Sequence, residues 1–195
     1  MHPSDFLSLE EWHTLLAATS TPREAALLRL LGGVGLRIGE TCSLKIEDID
    51  RVDRESGYVN IRHGKGDKER TCMITESTLD ALDAYLAGRK TGFVFEGRQD
   101  GHISTMQATR LLNKIAEKAN LQAIRPGKER QRRRVTPHLL RHSFARWSID
   151  AGIDISYLQQ QLGHSDLATT AIYLQARPNH RRAAYERAGF NALLG

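Results

Sequence analysis

At 195 residues, with 40% hydrophobic side chains and a formal charge of +5, the chain is long enough for one domain with a proper core. Its two cysteines, Cys42 and Cys72, form no CxxC pair, and its start, MHPSDFLSLEEW, has no apolar signal core; no run of about 18 apolar residues follows. A zinc module, a disulfide framework, secretion and membrane spanning are therefore not expected, and a reducing cytoplasm is.

Ser8 with Glu11 makes a capping box ahead of Leu9, Trp12, Leu15 and Leu16, and this spacing predicts a helix over about 9–18. Thr21 and Glu24 repeat the start signal with Pro22 at the first helical position. Ala26, Leu27, Leu30 and Leu31 supply the inward face, and Gly32 and Gly33 weaken the end. Gly35 and Gly39 then flank Arg37, which is expected beside a turn where backbone can approach closely. The glycines miss GxGxxG and no GK[ST] follows, so this is not a phosphate loop.

From about Lys45 to Ile74 the period changes to two, through IEDIDRV, GYVNIRH and ERTCMI, which predicts a three-stranded antiparallel meander. Gly64 and Gly66 form its hairpin tip, with Lys65 projecting. Helical spacing returns over about 76–87, Phe93–Phe95 reads as a short buried extended piece, and Ser104 caps a helix through about Ala119. The run RPGKERQRRR, residues 125–134, is expected as a solvated basic loop. It belongs to a basic second half: residues 101–195 hold 15 Lys/Arg against 6 Asp/Glu, whereas residues 1–100 hold 13 against 17, so a polyanion would meet the second half. The expected fold is α+β, mainly α, a helical domain with one small three-stranded antiparallel sheet.

Thr136 and Pro137 open a helix whose Leu140, Phe144, Trp147 and Ala151 form a core-facing stripe, with His138, Arg141 and Ala145 on a neighbouring face. His138 and Arg141 stand together near the helix N-terminus, where free backbone N–H groups favour an anion such as phosphate. A capping histidine and a solvated arginine are the plainer alternative. His138 and His142 have the spacing of a zinc helix, but Leu139 stands where HExxH needs its glutamate, so no metal is expected. A helix over about 154–162 buries Ile155, Leu158 and Leu162 and stops at Gly163, holding His164 at a corner. Ser165 and Asp166 restart a helix that carries Tyr173. Nine helical residues span roughly 13 Å, so His164 and Tyr173 share a site only if the chain bends or the tyrosine moves. Pro178 opens a final helix.

Four segments in order, GLRIGE (35–40), GKGDKER (64–70), HLLRH (138–142) and LGHSDLATTAIY (162–173), resemble the successive motifs of the tyrosine recombinases, the phage integrase family, above all its Xer-like members. Carried onto the matching positions, the resemblance implies Arg37 and Arg141 as phosphate-binding arginines and Lys65 as the hairpin general acid. It implies His138 and His164 as site histidines, Tyr173 as nucleophile and Glu40 as a support for Arg37. The implied activity is cutting and rejoining of DNA strands through a 3′-phosphotyrosyl intermediate, with neither metal nor cofactor and no small-molecule substrate. Double-stranded DNA is the implied partner, with Lys68, Arg70, Arg132, Arg133 and Arg134 expected to contact it. Copies of the chain are expected to meet on DNA as a synaptic tetramer at the cytoplasmic nucleoid. Residues 1–195 are expected to form one catalytic domain, with the family's N-terminal core-binding domain absent from this chain. Two other readings stay open: a type IB topoisomerase-like enzyme that only nicks and reseals, and a DNA-binding module that keeps the fold without catalysis.

Overall fold

The computed structural model of the chain describes residues 6–53, 56–62, 69–97, 101–121, 124–125, 128–132 and 134–163. Its helices begin where side chains can take the first free amides. Ser8 Oγ accepts the Glu11 amide at 3.1 Å and the Glu11 carboxylate accepts the Ser8 amide at 2.7 Å, opening α1 (Leu9–Ala17). Thr21 caps α2 (Pro22–Leu28), after which the helix widens into a π-helical turn, Arg29–Gly33, closed by the Val34 amide on the Arg29 carbonyl at 3.0 Å. The weak end expected at the two glycines is thus a wide turn. Gly32 faces Trp12 so closely that an added Cβ would stand 2.5 Å from the indole ring. Arg37 then caps α3 (Ile38–Ser43).

The meander follows as β1 (Ile49–Arg51), β2 (Ser56–Ile61) and β3 (Arg70–Thr75), antiparallel and in that order across the sheet. Val59 lies opposite Ile49 and Cys72, and Ile61 opposite Arg70. Val59, Ile61, Cys72 and Ile74 are buried, while Tyr58 and Met73 are exposed on the other face. The hairpin tip with Lys65 lies outside the described residues. Next comes α4 (Glu76–Leu86), which buries Leu79, Leu82 and Leu86. Phe93–Phe95 is buried as expected but not a strand: Phe93 forms an isolated bridge with Lys45 and the chain bends at Val94 and Phe95, where the Val94 amide bonds the Leu44 carbonyl at 2.8 Å and both side chains are fully buried. Ser104 caps α5 (Thr105–Lys118), whose Ala108, Leu112, Ile115 and Ala116 face inward, with Leu111 only partly buried.

The basic run departs from the expected loop. Within it β4 (Ile124–Arg125) pairs antiparallel with β5 (Lys128–Arg132) as a two-stranded ribbon, a second sheet separate from the three-stranded one. Ile124 pairs with Arg132 and Arg125 with Lys128.

Thr136 Oγ1 accepts the Leu139 amide at 3.1 Å and opens α6 (Pro137–Asp150). This helix is buried on most sides. Leu140, Ala145 and Ile149 are inside, Phe144 and Trp147 are half-buried, and Ala151, expected on the core stripe, is exposed at the helix end. The segment before α1 holds it in place. The Leu7 amide donates to Ser143 Oγ at 2.8 Å, Trp147 Nε1 donates to the Leu7 carbonyl at 2.9 Å, and the Trp147 ring lies 5.4 Å from Trp12. Then α7 (Ile155–Leu162), capped by Asp154, packs Leu158 and Leu162 against Ala145 and Ile149 and ends at Gly163 with φ of 62°. Residues 164–195, including the expected helices with Tyr173 and after Pro178, lie outside the described residues. Among the described residues no helix is long and apolar enough to cross a membrane.

Replacing Gly32 by alanine would drive a methyl into the Trp12 ring, and overpacking of this kind costs about 1–3 kcal/mol. The expected result is a lower urea midpoint for Gly32→Ala with the slope of the transition unchanged. A wild-type midpoint would show that the ring moves aside freely.

Candidate active site

One carboxylate organises the centre of the molecule. Glu40 is the third residue of α3, and Arg37 is its cap. The Arg37 amide donates to Glu40 Oε2 at 2.8 Å and Arg37 Nη1 donates to Oε1 at 2.9 Å. From β3, Arg70 grips the same carboxylate with both ends of its fork, Nη1 on Oε1 at 2.8 Å and Nη2 on Oε2 at 2.7 Å. Arg70 Nε donates to the Gln161 carbonyl at 3.1 Å, and Arg37 Nη2 to the Gly163 carbonyl at 3.1 Å, so α3, β3 and the end of α7 meet at one point. Glu40 is only 8% exposed. Burial alone would raise its pKa, but the hydrogen bonds from Arg70 and Arg37 and the charge of Arg70 outweigh that and hold the carboxyl at about 2.

Arg141 reaches the same region from the first turns of α6. It is 7% exposed, with Nη1 on the Gly35 carbonyl at 2.5 Å and Nη2 on the Leu162 carbonyl. Burial first, and then the charge of Arg37, lower its pKa to about 10, so it remains a cation at neutral pH. Two glycines make these contacts possible. Gly35 has φ of 76° and Gly163 has φ of 62°, and a Cβ at either would stand 2.5 Å from Phe144 or 2.8 Å from Arg70 respectively. Their backbones can therefore reach the guanidiniums. Three guanidiniums, Arg37, Arg70 and Arg141, surround the single carboxylate of Glu40 among the described residues, which leaves the cluster in excess of positive charge. Arg37 keeps 30% of its side chain exposed. An anion at that opening would be held by fixed donors in a partly dry site.

His138 is exposed on the first turn of α6, with Nε2 2.6 Å from His142 Nε2, so one ring N–H donates a hydrogen bond to the other ring. Arg134 is exposed just ahead of the same helix, and Arg132 ends strand β5. Lys65, Lys68, Arg133, His164 and Tyr173 lie outside the described residues. Arg70, expected as a DNA contact, instead turns its side chain inward, 9% exposed and committed to Glu40 and Gln161. Strand parity carried the signal: Arg70, Cys72 and Ile74 alternate on one face of β3, and the last two are plainly core residues. Gln161 is also part of the site, and nothing in its helical spacing separates it from its neighbours Gln159 and Gln160.

Glu40→Gln keeps the shape and removes the charge that offsets the buried guanidiniums. Breaking a buried pair of this kind costs about 3–5 kcal/mol. The depressed carboxyl also sets a pH window: the stability it contributes is complete above its ordinary 4.5 and is lost as pH falls from there toward 2. Urea unfolding at pH 7 and at pH 3 should therefore separate the wild type from Glu40→Gln widely at the first pH and narrowly at the second.

Comparison with known proteins identifies the family and the fold. The model of the phage integrase family matches residues 5–180. The tyrosine recombinase XerA of Pyrococcus horikoshii is 35% identical over 187 residues, which cover 93% of this chain and 60% of that protein. A crystal structure of XerA recombinase superposes with a TM-score of 0.73 at 33% identity, covering 94% of this chain and 63% of the other. The XerH site-specific recombinase bound to palindromic difH substrate, in a post-cleavage complex, shares the fold with a TM-score of 0.72 at 24% identity, over 93% of this chain and 52% of the other. The chain thus spans about 60% of the length of the curated XerA relative. With the family's motif order and fold both present, this chain belongs to the phage integrase family, as a tyrosine recombinase catalytic domain.

Proposed function

We propose that the chain is the catalytic domain of a site-specific DNA recombinase, cutting and rejoining strands through a 3′-phosphotyrosyl intermediate. The observation that carries this is the pair Arg37 and Arg141. Both are fastened to adjacent carbonyls, Gly163 and Leu162, directly before His164, and the cluster around them holds more positive than negative charge. A phosphodiester under attack gathers charge on its non-bridging oxygens, and two pre-placed guanidiniums can neutralise it there. The XerH recombinase, solved on its difH substrate as a post-cleavage complex, supports carrying cleavage of DNA over to this chain.

In this reading Tyr173 Oη attacks the phosphorus and the bond to the 5′ oxygen breaks. The phenol, with an unperturbed pKa of about 10, passes its proton to a site histidine, His138 or His164. Lys65 gives a proton to the departing 5′ oxygen. The covalent bond then conserves the energy for religation to a second strand, and no ATP is needed. Lys68, Arg132, Arg133 and Arg134 contact flanking phosphates. Each copy offers one nucleophile, Tyr173, so exchange between two duplexes calls for four copies assembled on DNA, at the nucleoid.

The test is covalent trapping without metal on nicked duplexes tiling the DNA beside the gene. The wild type should give a protein–DNA species that survives denaturation, and Tyr173→Phe should give none while binding DNA nearly as well. Arg37→Ala and Arg141→Ala should each slow its formation by about 10²–10³-fold. An adduct that persists in Tyr173→Phe would overturn the assignment, and DNA binding with no adduct would favour a binding module.

A further inference from the structure

Gln161 lies in the last turn of α7, and its amide group is fully engaged. Oε1 accepts the Met73 amide at 2.8 Å, while Nε2 donates to the Met73 carbonyl at 3.0 Å and to the Val34 carbonyl at 3.2 Å. The orientation follows from chemistry, since the Met73 N–H can only donate and must therefore face the oxygen. Its backbone carbonyl accepts Arg70 Nε at 3.1 Å and the Cys72 thiol at 3.2 Å. Among the described residues β3 is an outer strand of the sheet, with no strand on its far edge. Gln161 takes the amide and carbonyl of Met73 there. One side chain thus joins the edge of the β2–β3 hairpin, the exit of the π-helical turn just before Gly35, and the end of α7 just before Gly163.

Resting on the assignment of Lys65 as proton donor, we propose that Gln161 is a positioning residue for the cleavage step: it sets the distance between the β2–β3 hairpin and the end of α7. Arg70 and Cys72 tie the first half of β3 to Glu40 and to the Gln161 carbonyl, and the Gln161 side chain extends that attachment to Met73, three residues beyond Arg70. The phosphate position is set by Arg37 and Arg141 on carbonyls of residues 163 and 162, and the hairpin carries Lys65 in sequence between β2 and β3. Gln161 therefore fixes the frame of the donor against the frame of the phosphate. Misplacement of a reacting group by about 1 Å costs on the order of 10²-fold in rate.

The step supplies its own test. As the tyrosine oxygen bonds phosphorus and the bond to the 5′ oxygen breaks, the Lys65 ammonium becomes an amine and the 5′ oxygen a hydroxyl. If sulfur replaces that bridging oxygen, the leaving group departs as a thiolate, whose conjugate acid has a pKa of about 8.5, and needs no proton. Adduct formation should be timed with the full chain on a nicked duplex of the trapped site, once with oxygen and once with sulfur at the 5′ bridge. Gln161→Leu should be slowed at least about tenfold on oxygen and less than about twofold on sulfur. Gln161→Glu keeps the acceptor for the Met73 amide but loses both donations, and should show the same selective loss. Lys65→Ala is the reference. If it regains its rate on sulfur while both Gln161 variants stay equally slow on the two substrates, or match the wild type on both, the positioning role is overturned. If Lys65→Ala gains nothing from sulfur, the proton-donor assignment falls and the proposal falls with it.

Discussion

A single buried carboxylate holds two guanidiniums, and the site is built on that pairing. Removing Glu40 and Arg70 from water is costly, and the Coulomb attraction repays it only because the fork of Arg70 meets both oxygens while the Arg37 amide and side chain meet them too. The carboxylate accepts from four donors, which is why its pKa falls to about 2 despite burial. The partners come from α3 and β3, and Arg70 also bonds the end of α7. Charge pairing therefore places three elements that apolar packing alone would allow to slide.

From this the electrostatics of the centre follow. Arg70 is bound to Glu40 on both oxygens. Arg37 shares that carboxylate and keeps part of its side chain open to solvent, and Arg141 donates to the carbonyls of Gly35 and Leu162. The depressed pKa of Arg141 reflects burial beside a like charge. In the proposed function, a phosphate beside Arg141 and Arg37 would relieve that unfavourable placement. The interior behind them is a continuous apolar cluster running from Leu7 to Leu140, which keeps the arginines from retreating inward.

Much of this is legible in the chain. Caps at Ser8, Thr21, Ser104 and Thr136, the period of two through the meander and the stop at Gly163 rest on local backbone chemistry, and they appear in place. Arg37 beside a turn is readable from its flanking glycines. Arg70 misleads because its charge and the preceding GKGDKE suggest a solvated hairpin, although the alternation of β3 puts it inward with Cys72 and Ile74. In the basic run, charge outweighs Pro126-Gly127, a turn signal between two pairable segments, and so hides the ribbon. The stripe through Ala151 fails at the end of α6, since a helix packed on several sides has no single apolar face. Gln161 is not legible, because its partners come from β3 and the exit of the π-helical turn, remote in sequence.

In the proposed reaction Arg141 acts on the charge of the phosphate. The most direct measurement compares wild type and Arg141→Ala on nicked duplexes whose scissile group is either a normal phosphate or a methylphosphonate, which lacks the anionic oxygen. The expected result is a loss of about 10²–10³-fold for Arg141→Ala on phosphate that shrinks below about tenfold on the neutral group. An equal loss on both would mean that Arg141 only holds the fold together, and that the charge of the phosphate is met elsewhere.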